Sequence, residues 1–258
     1  MTTELISRDR VRVVSLLTDV LDHASAVERV ADLVRKKEGG YICFSTVHMV
    51  MESHDSDEFA AKVNAADMLV PDGMPIVWMQ KLQGKRHASR IRANDLMTSL
   101  CAYAERHRLK VGFYGGTRDV IDAIGTRANR DFPDLMIVYA FSPPFRSLTA
   151  DEDQNITAEI RNADPDILFM GLGCPKQENW MAAHRHDLRS VMLGVGASFD
   201  FFAGNVKESP EWIGRLGLEW LFRLAQEPKR LWRRYLILNP RFLALAAMQL
   251  LGNLRERP

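Results

Sequence analysis

The chain has 258 residues, 47% of them hydrophobic and 26% charged, a globular balance that excludes a disordered, collagen-like or disulfide-scaffold chain. Its length corresponds to roughly 1.7 average domains, hence one α/β domain with an appendage. With 34 basic against 33 acidic residues the formal charge is +1, which points to neither a nucleic-acid partner nor an acidic tail. The charge is nevertheless uneven. From Gly214 to Pro258 nine basic residues face three acidic ones, a formal +6, so the first 213 residues hold 25 basic and 30 acidic, a formal −5. Three scattered cysteines, Cys43, Cys101 and Cys174, form no CxxC pair and suit a reduced, cytoplasmic setting. The N-terminal stretch MTTELISRDRVRVVSLLTD has no signal-peptide cleavage signature. No run reaches the ~18 to 20 uninterrupted apolar residues of a bilayer span, so a soluble or peripheral protein is expected.

In chain order, a helical segment Ser25 to Lys37 precedes a strand Tyr41 to Thr46 and another, Asp67 to Val70. A helix over Asn94 to Arg108 leads to a strand Lys110 to Tyr114, and a helix Arg118 to Asn129 to a strand Leu135 to Phe141. A helix Glu152 to Asn162, a strand Ile167 to Met170, a helix Gln177 to His186 and a strand Val191 to Val195 complete the pattern. Such alternation predicts a mostly parallel sheet with helices on both faces. After Phe202 the pattern turns wholly helical: Glu211 to Gln226 has one amphipathic period, Pro228 interrupts it, a basic helix follows over Lys229 to Leu238, and Pro240 is expected to interrupt again before the apolar Phe242 to Leu251. The predicted division is an α/β domain over residues 1–205 and a helical, basic C-terminal appendage over 206–258.

Ligands of open α/β sheets bind beyond the carboxyl ends of the strands. Four loops stand there: Pro71-Asp72-Gly73, Gly115-Gly116-Thr117, Gly171 to Glu178 and Gly194 to Ser198. Glycine admits a ligand close to the backbone, and helix N-termini favour a diphosphate. Pro175 suits the first turn of the next helix. Neither a P-loop nor a dinucleotide fingerprint is present, which disfavours a P-loop ATPase and a nicotinamide dehydrogenase.

Read together, several strings resemble the WecG/TagA/CpsF glycosyltransferases (glycosyltransferase family 26). They are Ala66 to Gly73 (ADMLVPDG), Arg90 to Leu96 (RIRANDL), Gly171 to Glu178 (GLGCPKQE) with Trp180, Gly194 to Gly204 (GVGASFDFFAG), and Leu218 to Leu224 (LEWLFRL) with Glu227-Pro228. The resemblance runs from about Tyr41 to Tyr235. It implies a Rossmann-like core and inverting transfer of one sugar from a UDP-sugar to a polyprenyl-diphosphate-linked saccharide, without a required metal or other cofactor. Departures are Thr46 where many relatives carry Asn, Ala93 where Gly is usual, and Lys207-Glu208-Ser209-Pro210 where a Lys-Arg-Ala-Pro run is common. The Ser142 to Arg146 loop looks like exopolysaccharide-type members.

Inverting transfer needs a base for the acceptor hydroxyl and a way to stabilise the departing diphosphate. Asp72 suits the base, as the resemblance also implies; its alternative is a helix N-cap. Arg90 offers a planar fork to phosphate or sugar, or is a solvated surface arginine. His48, with Thr46 expected to end the first long strand, is a second polar contact or a competing base. Gln177 is expected to hydrogen-bond a sugar, and Glu178 to contact substrate or to offset the helix dipole. The remaining substrate candidates are Thr46, Gly73, Asn94, Asp95, Gly115, Gly116, Gly171, Gly173, Pro175, Lys176, Gly194, Gly196 and Asp200, with Arg223 and Arg230 reaching the diphosphate from the tail. Three D-x-D strings, at Asp55, Asp151 and Asp164, are common turn patterns, and no metal is expected.

Trp220, Phe222, Trp232, Tyr235 and Phe242 interleave with Arg223, Arg230, Arg233, Arg234 and Arg241. That mixture suits a helix lying on an anionic membrane surface, here the inner face of the cell membrane; the alternative is packing on the core or between copies in a homo-oligomer. Rival functions are a nucleotide-sugar dehydrogenase or epimerase, and a non-catalytic basic membrane adaptor.

Overall fold

A computed structural model describes residues 8–255; the first seven residues of the N-terminal stretch, and the tail charges Glu256 and Arg257, lie outside them. The chain opens with strands β1 (Arg10–Val13) and β2 (Leu16–Asp19), then runs α1 (His23–Lys36), β3 (Gly40–Ser45), α2 (Val47–Asp55), α3 (Asp57–Asn64), β4 (Met68–Pro71), α4 (Met74–Leu82) and α5 (Ala93–His107). It continues with β5 (Lys110–Gly115), α6 (Arg118–Asp131), β6 (Met136–Phe141), α7 (Ala150–Ala163), β7 (Ile167–Gly171), α8 (Lys176–Ala183), β8 (Val191–Gly194) and α9 (Ser198–Phe202). The tail consists of α10 (Glu211–Arg215), α11 (Glu219–Gln226) and α12 (Pro228–Arg255).

Strands β3 to β8 form one parallel sheet in the order β4-β3-β8-β7-β5-β6. The central strands are buried along their length, β3 at every residue, as expected where helices cover both faces. The two-residue strand period sorts the core. Ile42, Phe44, Val70, Phe113, Phe169 and Leu193 face one side with α1, α5, α6 and α9. Tyr41, Cys43, Leu69, Tyr114, Met170 and Met192 face the other with α2, α3, α4, α7, α8 and part of α12.

The β1–β2 hairpin was not expected. Its turn holds Val14 at φ 57°, and the Val14 N–H donates to Gln249 Oε1 of α12 at 2.8 Å. Asp19, wholly buried at its end, accepts from the Leu69 N–H at 2.7 Å and pairs with Arg8 and Arg29 at 2.6 and 3.2 Å.

The tail departs from its prediction twice. The single helix expected over Glu211 to Gln226 breaks at Gly217, which has φ +72°; a Cβ there would meet the Trp78 indole at 2.6 Å. The break expected at Pro240 does not occur: α12 runs through it. An internal proline costs about 3 kcal/mol or more, and tertiary anchoring on both sides offsets it. Arg241 pairs with Asp55 at the end of α2 at 2.6 Å, and Phe242 and Ala246 are buried in the core. Leu236, whose carbonyl loses its helical partner, is exposed, leaving water to satisfy it. Within α12, Pro228–Gly252 is the one helix among the described residues long and apolar enough to cross a membrane, with mean hydropathy 1.3, although no uninterrupted apolar run was foreseen.

Candidate functional site

The carboxyl ends of five strands converge on one cleft of about 550 Å³. Thr46 follows β3, Asp72 follows β4, Gly116 follows β5, Gly171 to Gly173 close β7, and Gly194 to Gly196 close β8; all line it. Arg90, Asn94, Gln177, Glu178, Asp200, Arg223 and Arg230 complete its predicted lining. A smaller cavity of about 280 Å³ lies under the tail, walled by apolar side chains that include Met74, Trp78, Leu216, Trp220 and Phe242. Thr46, Asp72, Arg90, Glu219, Arg223 and Arg234 line both spaces, so the Asp72 carboxyl stands at the boundary between a polar cleft and an apolar one.

The geometry at Asp72 is specific. Ser45 O accepts from the N–H groups of both Asp72 and Gly73 at 3.1 Å, which pins the turn. Helix α4 takes Gly73 as its N-cap without a side-chain bond, so the Asp72 carboxylate does not cap it. Instead Arg90 Nη2 stands 3.5 Å from Asp72 Oδ1, and Arg90 Nε donates to the Asp72 carbonyl. Arg90 Nη1 reaches Glu219 of α11 at 2.8 Å, tying the sheet mouth to the tail. Burial pushes the Asp72 carboxyl above the usual carboxylate range, with Arg90 opposing the shift. Burial also raises Glu219, but Arg90 and Arg92 outweigh it and hold that carboxyl below its ordinary range.

Several candidates are placed elsewhere than the sequence suggested. His48 does not end a strand: it lies in the first turn of α2 and faces the space beneath α12 rather than the glycine cleft. Burial, with Arg234 beside it, lowers its pKa to about 4, which leaves a neutral, weakly basic imidazole. Thr46 caps α2 by accepting from the Met49 N–H at 3.4 Å. Gly73 lines only the apolar cavity. Gly115 is spent on packing, since a Cβ there would meet the Gly171 backbone at 2.4 Å. Pro175 is the N-cap of α8, after a cis Cys174–Pro175 bond. Lys176 turns into a third cavity, with Trp180 and Asp153. Asp95, half exposed, stands 3.7 Å from Arg92 outside the cleft lining.

Gln177 lines the cleft, but its amide is committed. Nε2 donates to Gly194 O at 2.7 Å and to Glu178 Oε1 at 2.8 Å, while Oε1 accepts from the Gly173 N–H at 3.0 Å. Both amide hydrogens are used internally. Asn94 donates to Glu208 at 2.6 Å, and Arg92 pairs with the same carboxylate at 2.8 Å, so Glu208 occupies both groups on the tail side. Sequence reasoning missed Arg234, Arg92 and Glu219 as cleft residues. All three sit in strings that drew attention, but nothing in a linear run says which arginine of Arg233-Arg234 faces inward. The D-x-D aspartates have local partners: Asp55 binds Arg241, Asp153 accepts from the Trp180 indole at 2.7 Å, and Asp166 accepts from the Lys110 N–H at 2.8 Å.

The family described as Glycosyl transferase WecG/TagA/CpsF matches residues 11–256. The chain belongs to this family. A relative from Bacillus spizizenii is 35% identical over 202 residues, 78% of this chain and 76% of its own length. One from Bacillus subtilis is 34% identical over 184 residues, 70% and 69% of the two chains. One from Staphylococcus aureus is 32% identical over 172 residues, 66% of each. All three are named N-acetylglucosaminyldiphosphoundecaprenol N-acetyl-beta-D-mannosaminyltransferase. As a WecG/TagA/CpsF glycosyltransferase the chain has its family match across almost all of the hairpin, the sheet and the whole of α12, so the tail belongs to the shared architecture.

Proposed function

We propose that this glycosyltransferase moves one sugar from a UDP-sugar to a polyprenyl-diphosphate-linked saccharide with inversion, and that an N-acetylglucosamine-bearing lipid diphosphate, as named for its relatives, is its acceptor. The observation that carries the proposal is the position of Asp72 between the two cavities. The polar cleft suits the nucleotide: glycine turns admit the diphosphate, and Arg223, Arg230 and Arg234 add positive charge on its tail side. The apolar cavity under the tail suits the lipid-linked partner. The Asp72 carboxylate takes the proton from the acceptor hydroxyl as its oxygen bonds to the anomeric carbon. The bond from that carbon to UDP breaks, and the electron pair leaves on the diphosphate, where arginine charge stabilises it. Arg90 orients the base through its contacts with Asp72 and Glu219.

In this proposal the arginines supply the charge compensation that a divalent ion gives in other transferases, and turnover persists in EDTA. Residues 1–205 carry the sheet mouth, and 206–258 cover it and rest on the anionic inner face of the cell membrane. Exposed Trp232, Leu236, Ile237, Leu243 and Met248 beside the tail arginines support that placement. The test is Asp72→Asn, which removes the base and keeps the shape. The proposal expects turnover to fall by about 10² to 10⁴ with UDP affinity, read by isothermal titration, unchanged; near-normal turnover would remove Asp72 from the role.

A further inference from the structure

Glu178 is an anomaly on the cleft wall. It lies in the first turn of α8 with 0% exposure, yet it forms no ion pair among the described residues. Its Oε1 accepts from Gln177, and its Oε2 is buried with no hydrogen-bond partner. A buried, half-satisfied carboxyl costs on the order of 1–3 kcal/mol unless something completes it. The residue lines the same cleft as Asp72, and it stands near Cys43 of β3, whose thiol pKa burial raises and the Glu178 charge raises further.

We propose that Glu178 recognises the transferred sugar, its Oε2 hydrogen-bonding a polar ring substituent of the donor. This rests on the UDP-sugar proposal above and deepens it by naming a specificity-determining residue. The diphosphate is the poorer partner: an ionised carboxyl repels it, and the arginines of the cleft complement it already. A ring hydroxyl or acetamido group both donates and accepts, so it satisfies the carboxyl. Gln177 is then a positioning residue, because its fixed amide holds Glu178 Oε1 and leaves Oε2 without a hydrogen-bond partner.

Burial raises the Glu178 pKa to about 7, with Gln177, the Cys174 thiol and Arg234 of α12 opposing the shift. Those groups, with Cys43 of β3, are its polar and titratable surroundings. The neutral acid is a hydrogen-bond donor in a poorly solvated corner; above its pKa the carboxylate is only partly offset by Gln177, Cys174 and Arg234 and repels the nearby diphosphate. Sugar recognition therefore weakens as pH rises through neutrality.

The experiment uses the full chain with Glu178→Gln, an isosteric change whose folding is verified by thermal melting. UDP affinity is measured by titration, and KM and kcat for the UDP-sugar are measured from pH 5.5 to 8.5. The expected result is UDP affinity within about twofold of the parent and KM for the UDP-sugar raised about two- to tenfold at pH 6, the size of one ordinary hydrogen bond. The parent KM climbs above neutral pH and the variant KM stays flat. An unchanged KM at every pH with normal UDP affinity would overturn the proposal, as would a KM and a UDP affinity that worsen together. A parent that binds no UDP at all would sink the donor proposal itself, a distinguishable failure.

Discussion

The mouth of the sheet and the C-terminal tail are built by opposite means. At the mouth, function is presented by backbone: short turns after fully buried strands, pinned by main-chain bonds such as those from Asp72 and Gly73 to Ser45. In the tail, α11 buries no residue completely and α12 leaves most of its large apolar side chains outside the core. It is held by discrete contacts, Arg90 to Glu219, Arg241 to Asp55 and Gln249 to the hairpin. The first region presents its groups from a buried sheet; the second is docked on it and leaves a large part of its apolar surface exposed. The cleft thus has a floor from the sheet mouth and a cationic roof, Arg223, Arg230 and Arg234, from the tail.

Removing residues 206–258 tests that division most severely. The expected result is loss of turnover together with loss of pelleting on anionic vesicles, since Arg223, Arg230, Arg234 and the apolar face go at once. A truncated chain that still pellets would dismiss the tail as the membrane contact. A smaller effect separates two arginines of the roof. Arg223 is largely buried and Arg230 mostly exposed, so Arg223→Ala should weaken UDP binding roughly tenfold or more, and Arg230→Ala distinctly less. Equal losses in titration would mean that the roof closes further around the nucleotide than it does here.

Within the mouth, Glu178 offers a test by stability. The folded protein binds this proton more tightly than the unfolded chain, so stability falls as pH rises from the ordinary carboxylate range through about 7 and stays lowered above it. Glu178→Gln should therefore melt higher than the parent at pH 8, by roughly 3 kcal/mol at most, with the gap vanishing towards pH 4.5. The smallest effect belongs to the docking of the tail: Asp55→Asn breaks a half-exposed pair and should lower stability by only about 0.2–1 kcal/mol in chemical unfolding.

The sheet was legible because each of its strands is a short apolar run between turn residues, and the glycine loops after them marked the cleft without any structure. The hairpin escaped because its first strand alternates arginine with valine in RVRV, its second is the short LLTD, and its buried charge, Asp19, reads as a surface residue until its arginines are seen around it. Pro240 misled because a local rule was set against anchors, Asp55 and the core at Phe242, that lie elsewhere in the chain. For Gln177 and Glu178, sequence shows an amide that could bind and a carboxyl that could contact substrate or tune a helix dipole, but not that internal bonds use both amide hydrogens and leave one carboxyl oxygen without a partner. Sequence places His48 beside Thr46, whereas the helix started by that threonine turns the imidazole to the other cavity.

In the proposed mechanism the nucleotide lies in the glycine cleft with Asp72 at its sugar end. A crystal structure with UDP bound tests it most directly. The account predicts the diphosphate against the Gly171 and Gly194 loops beneath Arg223, with the Asp72 carboxyl open to the space where the sugar would follow. A nucleotide lodged in the cavity beside Lys176 and Trp180, or an Asp72 carboxyl turned away from the occupied cleft, would contradict it.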